Sequence, residues 1–168
     1  VAIVEKHMDN VEFSTEIFAR EMCMSRSNLH LKMKALTGES TNDFIRKMRF
    51  KQACKLLKEG RPVSRLMNNA GILTTPVRKT EDGLETIVSV NYVAPYMLTR
   101  QLLPLMQPGC RIVNTVSCTY AIGRIEPDFF EKGRNGRFFR IPVYSNTKLA
   151  LLLFTQEFAE RLQDKDIT

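Results

Sequence analysis

The 168-residue sequence has little of what metal centres, disulfide scaffolds and membrane spans are built from. Its two histidines, His7 and His30, stand 23 positions apart, and its four cysteines (Cys23, Cys54, Cys110, Cys118) show no C-x-x-C spacing. Zinc needs several such donors close together, so no metal site is expected. The cysteine density is also too low for a disulfide framework. With no export signal at the start of the chain, the expected compartment is a reducing cytoplasm. No apolar run approaches the ~20 residues that cross a bilayer, so no membrane partner is expected. The first residue is Val1 and not Met, which is the expectation for a chain beginning inside a longer protein.

What is present is a globular composition, 43% hydrophobic and 26% charged, with room for one domain or two small ones. The net charge of +7 is unevenly spread: residues 1–65 hold 13 Lys+Arg against 8 Asp+Glu, and residues 66–168 hold 12 against 10. An excess concentrated in the smaller part fits either a surface that meets a polyanion or a solvated basic helix face. The chain changes character at Lys58-Glu59-Gly60-Arg61-Pro62-Val63, where Gly60 is a natural helix stop and Pro62 cannot continue a helix. Two segments are therefore expected, 1–61 and 62–168.

The first segment reads as three helices. Ser14 caps one that carries Glu16 in its first turn and buries Ile17, Phe18 and Met22 around Ala19. A short turn at Cys23-Met24 leads to Ser25, a second cap, after which Leu29, Met33 and Leu36 form one apolar stripe. The opposite face presents Ser27, His30, Leu31 and Lys34, with Arg26 near its start. Gly38 ends that helix. A longer basic one follows from about Asn42 to Glu59, with Phe44, Ile45, Met48, Ala53 and Leu56 on its inner side. Two short helices joined by a tight turn, the second polar outside, make a helix-turn-helix.

Over residues 3–61 this pattern resembles an AraC-type DNA-binding domain, in the version that ends bacterial hybrid two-component regulators. It is carried by Ser14 to Leu29, Leu36-Thr37-Gly38, and Phe44-Ile45-Arg46 through Ala53-Cys54-Lys55-Leu56-Leu57. The resemblance implies DNA as a partner through residues 20–58. Ser27, His30 and Leu31 would lie near base edges, with Arg26 and Lys34 on phosphates. The alternative is that these side chains only solvate a small bundle. The family's second helix-turn-helix is absent, so non-specific, salt-sensitive binding is expected to outlast specific binding.

The second segment alternates strand and helix. Val63 to Met67 reads as a buried strand ending in the turn Asn68-Asn69-Ala70-Gly71. Glu81 to Met106 is mostly helical, with Pro95 requiring a local distortion; Arg111 to Ser117 is a strand bounded by Gly109. Gly123 to Pro142 is a polar, aromatic loop, and Tyr144 to Leu162 is a helix. This order implies parallel strands with crossover helices and a ligand site at their carboxyl ends. The fold class expected for the whole chain is thus α + α/β, three helices followed by a partial Rossmann-type segment.

Tyr144 and Lys148 are four apart on a helix, hence on one face. A phenol with a reference pKa near 10 is a poor acid-base group at neutral pH, and a nearby ammonium favours its phenolate. Ser117, at the end of a strand, can hydrogen-bond the reacting oxygen. Y-x-x-x-K alone is a weak pattern; joined to Asn68-Asn69-Ala70-Gly71 and Ser117 it becomes specific.

That combination resembles the short-chain dehydrogenase/reductase family. The separation of 27 residues from Ser117 to Tyr144, and the run Tyr144 to Ala150 followed by Leu153-Phe154-Thr155, are similar to its retinol-dehydrogenase-like subgroup. The resemblance implies NAD or NADP as cofactor and a small carbonyl or alcohol as substrate. Tyr144 would be the acid/base, Ser117 would orient substrate, and Lys148 would hold the nicotinamide ribose. Asn91 would support a relay water, and Asn69, Ala70 and Gly71, with Tyr144 and Lys148, would line the cofactor. The sequence departs from the family in having no T-G-x-x-x-G-x-G or G-x-G-x-x-G phosphate loop. Without it, cofactor binding is expected to be incomplete and catalysis by this chain alone absent or barely detectable. Exposed sheet edges offer a route to oligomers.

The combined expectation is a chimera of an oxidoreductase fragment and a DNA-binding regulator fragment. The alternatives are a DNA-binding regulator only, or a recombinant or mis-assembled chain without function.

Overall fold

The computed structural model describes residues 1–73, 79–130 and 140–168. The chain divides into two compact units, Val1–Arg61 and Pro62–Thr168.

The first unit holds α1 (Ala2–Lys6), α2 (Thr15–Glu21), α3 (Arg26–Thr37) and α4 (Thr41–Lys58). Each of the last three opens on a serine whose hydroxyl accepts a backbone N–H: Ser14 from Ile17, Ser25 from Asn28 and Ser40 from Asp43. The Glu16 carboxyl lies below the usual carboxylate range, held first by the backbone N–H at the helix start and then by the Ser14 hydroxyl. Gly38 closes α3 and Gly60 follows α4, both at φ +74°. At α4 the closing bonds run from Gly60 N to Leu57 O and from Arg61 N to Leu56 O, the pattern of a left-handed helix stop. Between α2 and α3 the same pair of bonds, Cys23 N to Arg20 O and Met24 N to Ala19 O, forms around a non-glycine residue.

The core of this unit is Val4, Phe13, Phe18, Ala19, Leu29, Met33 and Ile45, with Ile17, Phe44 and Met48 packed at its margin. Four expected core positions are not in it. Met22 is the C-cap of α2 and is 38% exposed. Leu36 is 83% exposed, because α3 meets the core only through Leu29 and Met33 and stops one residue after Leu36. Ala53 is exposed and Leu56 only half-buried outside the cluster, since the buried face of α4 is confined to its first half. Of the basic residues on α4, Arg49 is turned inward and donates to the carbonyls of Asn10 and Phe13.

The second unit is built on a parallel pair of strands, β1 (Val63–Asn68) and β2 (Met106–Asn114), in the register Leu66 to Ile112 and Asn68 to Asn114. The strand-helix-strand order does produce parallel strands. Between them run α5 (Thr86–Val88), a π-helical turn at Ser89–Val93, α6 (Ala94–Leu102) and a 3₁₀ turn. The distortion expected for Pro95 is this π-helical turn, which ends two residues before it. After β2 come a 3₁₀ turn at Cys118–Ile122 and the long α7 (Arg140–Leu162).

Four expectations need correction. β1 is not buried throughout: only Leu66 and Asn68 are, and Met67 is 67% exposed, because one face of the sheet carries no layer. β2 runs over Met106–Asn114 and not over Arg111–Ser117. It passes through Pro108 and Gly109, the latter at φ +84°, where the register slips between Val63 and Arg65. α7 begins at Arg140, so the expected loop from Gly123 to Pro142 is shorter, and its residues 131–139 lie outside the described residues. The far edge of β2 is not open: Gly109 N donates to Asp166 O, Ile112 N to Thr168 O and Thr168 N to Cys110 O. Beneath the sheet, Leu66, Met106, Cys110, Leu162 and Ile167 form the core, with Leu102, Ile112 and Phe158 against it. Among the described residues no helix is long and apolar enough to cross a membrane.

Candidate active site

The carboxyl end of β1 leads into Asn69, Ala70 and Gly71, and that of β2 into Thr115 and Ser117. Two buried side chains bind these ends together. Asn91 is fully buried; its Oδ1 accepts from Ile72 N at 2.8 Å, and its Nδ2 donates to Ile72 O at 3.0 Å and to Thr147 Oγ1 at 3.4 Å. It therefore clamps the turn after β1 to α7. Pro95 has no N–H, so the usual donor four residues on from the Asn91 carbonyl is missing. Thr115 Oγ1 donates to Asn69 Oδ1 at 2.8 Å, tying the two strand ends directly.

Lys148 is 3% exposed and its Nζ donates to Thr115 O at 2.8 Å. The ammonium lies 5.6 Å from the centre of the Tyr144 ring. A Cβ added at Gly71 would stand 3.3 Å from Lys148 Nζ and 3.9 Å from Asn91 Oδ1, so the missing side chain leaves a cradle beside the amine. Burial pushes the Lys148 ammonium below the ordinary lysine range. One of its three N–H groups is committed to Thr115; the cradle gives the others a place to meet hydroxyl acceptors.

Ser117 is not at the strand terminus, as a strand over Arg111–Ser117 required; it stands three residues past Asn114, capping the 3₁₀ turn. Its Oγ accepts from Thr119 N at 3.4 Å and Thr119 Oγ1 at 3.1 Å, which leaves its own proton to donate. The turn it opens is fixed to α7 at its other end. Arg124 N donates to Asn146 Oδ1 at 2.7 Å, and a Cβ at Gly123 would come within 2.6 Å of Ser145 O. Backbone contact that close admits only glycine. The fold thus brings Asn69, Gly71, Asn91, Tyr144 and Lys148 to one place and ties the Ser117 turn to the same helix. Ala70 is exposed in the turn.

Residues that sequence reasoning missed are those behind the site. Asn68 Nδ2 donates to Thr99 Oγ1 at 3.0 Å and to Asn114 Oδ1 at 2.7 Å, and Asn114 Nδ2 donates to Thr155 Oγ1 at 2.9 Å. This chain of amides and hydroxyls runs from α6 through both strands to α7. Its only advance signal is polar residues at strand positions whose parity faces the core.

The candidate DNA-facing residues all lie on the exposed surface of α3. Arg26, Ser27, His30 and Leu31 line one groove with Thr41, while Lys34 lines the adjoining one with Arg46 and Lys47. Arg26 is paired with Glu16 at 2.9 Å, Arg46 with Asp43, and Lys47 with Glu39. Exposed pairs of this kind are weak and easily exchanged.

The buried amine beside Gly71 suits the hydroxyls of a nicotinamide ribose, whereas the sequence holds no glycine-rich loop for a diphosphate.

The family profile of short chain dehydrogenases matches residues 28–127, so the match begins within α3 and crosses from the first unit into the second. Retinol dehydrogenase 12 of Mus musculus is 37% identical over 116 residues, covering 68% of this chain and 36% of that protein. Retinol dehydrogenase 11 of Homo sapiens is 33% identical over 156 residues, covering 91% of this chain and 46% of that protein. Among solved structures, an uncharacterized protein from Mycobacterium Paratuberculosis superposes with a TM-score of 0.58 at 34% identity, over 63% of this chain and 39% of that one. A blue fluorescent protein from a metagenomic library, solved in complex with NADPH, superposes with a TM-score of 0.50 at 28% identity, over 72% and 43%. The chain spans between a third and a half of the length of these relatives. With the profile covering more than half of its residues and the parallel strands carrying the matching turn, this chain belongs to the short-chain dehydrogenase family.

Proposed function

We propose that the second unit is the catalytic centre of an NAD(P)-dependent oxidoreductase that interconverts an alcohol and its carbonyl. The observation that supports this best is the buried Lys148 amine, beside the empty Cβ position of Gly71 and 5.6 Å from the Tyr144 ring. Tyr144 exchanges the proton with the substrate oxygen, and Ser117 donates its free proton to hold that oxygen in place. Lys148 binds the nicotinamide ribose, and Asn91 keeps Asn69, Ala70 and Gly71 against it. The nicotinamide cofactor, when bound, supplies or accepts the hydride. The identity to retinol dehydrogenases favours an apolar alcohol or aldehyde as substrate. The four free cysteines favour a reducing cytoplasm. These 168 residues hold no glycine-rich loop for the diphosphate, so turnover by them alone is expected to be absent or barely detectable.

The test is saturation-transfer NMR of NADH and NADPH with the purified chain, alongside turnover of an aldehyde such as retinal. Transfer to the ribose protons that disappears in Lys148→Met, with no turnover above buffer, is the expected result. Equal transfer in both proteins removes the site assignment. Robust turnover by the chain alone would show that a glycine-rich loop is dispensable here.

A second reading concerns the first unit. Its α2-turn-α3 arrangement leaves Ser27, His30, Leu31 and Lys34 exposed on one helix, which favours weak DNA binding through residues 20–58. A labelled duplex should shift at low ionic strength and be released by salt, with Lys34→Ala weakening binding about equally for all sequences. No shift even at low salt would leave the solvated-bundle reading in its place.

A further inference from the structure

Lys148 stands apart from the other lysines of the chain. It is buried, whereas every other lysine among the described residues is exposed. Lysine is almost never fully buried unless it is paired. No carboxylate pairs with Lys148 among the described residues, and the group its Nζ donates to, the Thr115 carbonyl at 2.8 Å, is neutral. Such surroundings favour the uncharged amine, in keeping with a proton held less tightly than in an ordinary lysine. An amine that has lost its proton is a nucleophile, and desolvated lysines are the ones that form Schiff bases with carbonyl compounds.

The cradle at Gly71 gives an electrophile a way in. One N–H of Lys148 points at Thr115 O, so the lone pair of the neutral amine is directed away from that carbonyl. Gly71 is exposed, and the place its Cβ would take lies 3.3 Å from Nζ and 4.0 Å from Cε of Lys148. Reacting atoms about 3–3.5 Å apart are at near-attack distance. We propose that Lys148 captures aldehydes covalently, as an imine formed in the Gly71 cradle. The nitrogen lone pair bonds to the carbonyl carbon, and the carbonyl pair moves onto oxygen. That oxygen then leaves as water with the two amine protons, so neither oxidant nor reductant takes part. A space the size of one missing methyl group suits the hydrogen-bearing carbon of an aldehyde better than the doubly substituted carbon of a ketone. Imine formation uses the amine assigned above to the ribose but needs no cofactor, so it stands or falls apart from the oxidoreductase reading.

The experiment treats the full chain with a low concentration of butanal and sodium cyanoborohydride, which reduces an imine to a stable secondary amine. Peptide mapping by mass spectrometry then reads the fraction modified at each lysine. Lys148 should be modified at least tenfold more than the exposed lysines of α4, Lys51 and Lys55, and this preference should vanish in urea. A Gly71→Val variant should lose the preference while Lys51 and Lys55 react as before. Modification of Lys148 equal to or below that of the exposed lysines would overturn the proposal, as would a preference that survives unfolding. So would a preference unchanged in Gly71→Val. The saturation-transfer measurement on the same protein keeps the two readings separate. Selective trapping without transfer to NADH removes the ribose assignment alone, and transfer to NADH without trapping removes the imine alone.

Discussion

The two units bury different chemistry. The first closes over Val4, Phe13, Phe18, Leu29 and Ile45, and its ionic groups lie on the outside in exchangeable pairs. The second buries Asn68, Glu85, Asn91, Thr99, Ser145, Thr147 and Lys148. Apolar packing is tolerant of composition provided volume is kept, while a buried amide network works only when its members find their partners. The first unit is therefore organised by volume and the second by hydrogen-bond geometry. The site proposed for the second unit, which would hold a tyrosine, a lysine and a serine in fixed relation, needs the second kind of interior.

That contrast can be broken from either side by substitutions read through peptide-resolved hydrogen exchange. Phe18→Ala should have the largest effect, about 3–5 kcal/mol, from lost burial plus the cavity left behind. Its faster exchange should be confined to peptides within 1–61. Asn68→Leu keeps nearly the same volume but strands Thr99 and the Asn114 carbonyl oxygen, so roughly 1–3 kcal/mol should be lost within 62–168. If Asn68→Leu proves neutral, the amide chain is not what organises the second unit.

Lys148 sharpens the comparison through pH. Its folded-state pKa is depressed by burial, so the unfolded chain holds this proton more tightly than the folded one. Below the folded value both states are charged and the full cost of burying the ammonium is present. As pH rises through the folded value toward the unfolded one, near 10.4, that cost is relieved and the second unit gains stability. Urea titrations from pH 7 to 10 should show wild type gaining on Lys148→Met. Parallel profiles would mean the amine is not desolvated.

Much of the helix layout was legible because it is punctuated locally. Ser14, Ser25, Gly38 and Gly60 act through bonds to residues within five positions, and each stands where its residue type predicts. The π-helical turn was foreshadowed by Pro95 alone. β2 was misjudged because Pro108 and Gly109 are ordinarily breakers, and here a register slip admits them at the sheet margin. Leu36 and Ala53 were placed inside by periodicity, which fixes a face but not how far along a helix the core reaches. The polar network could not be read at all. Thr99 and Asn68 are joined over 31 positions and Asn114 and Thr155 over 41, distances at which one sequence carries no pairing signal.

The first unit also holds a comparison within itself, and it sets the smallest effect. Three of its helix ends use a left-handed residue. Gly38 and Gly60 adopt φ +74° with nothing within 4 Å of where a Cβ would be. The third is Cys23, at φ 52°, making the same closing bonds with a side chain attached. An L-residue pays roughly 1–2 kcal/mol there, and Cys23 is exposed, so it recovers no burial in return. Cys23→Gly relieves the strain but adds freedom to the unfolded chain, leaving a net gain of about 0.5–1 kcal/mol. Slower exchange of the Cys23 and Met24 amides, with residues 62–168 unaffected, is the expected reading. A loss of stability would mean that the tight turn leading into α3 depends on the cysteine side chain, and that the serine and glycine punctuation does not by itself account for this unit.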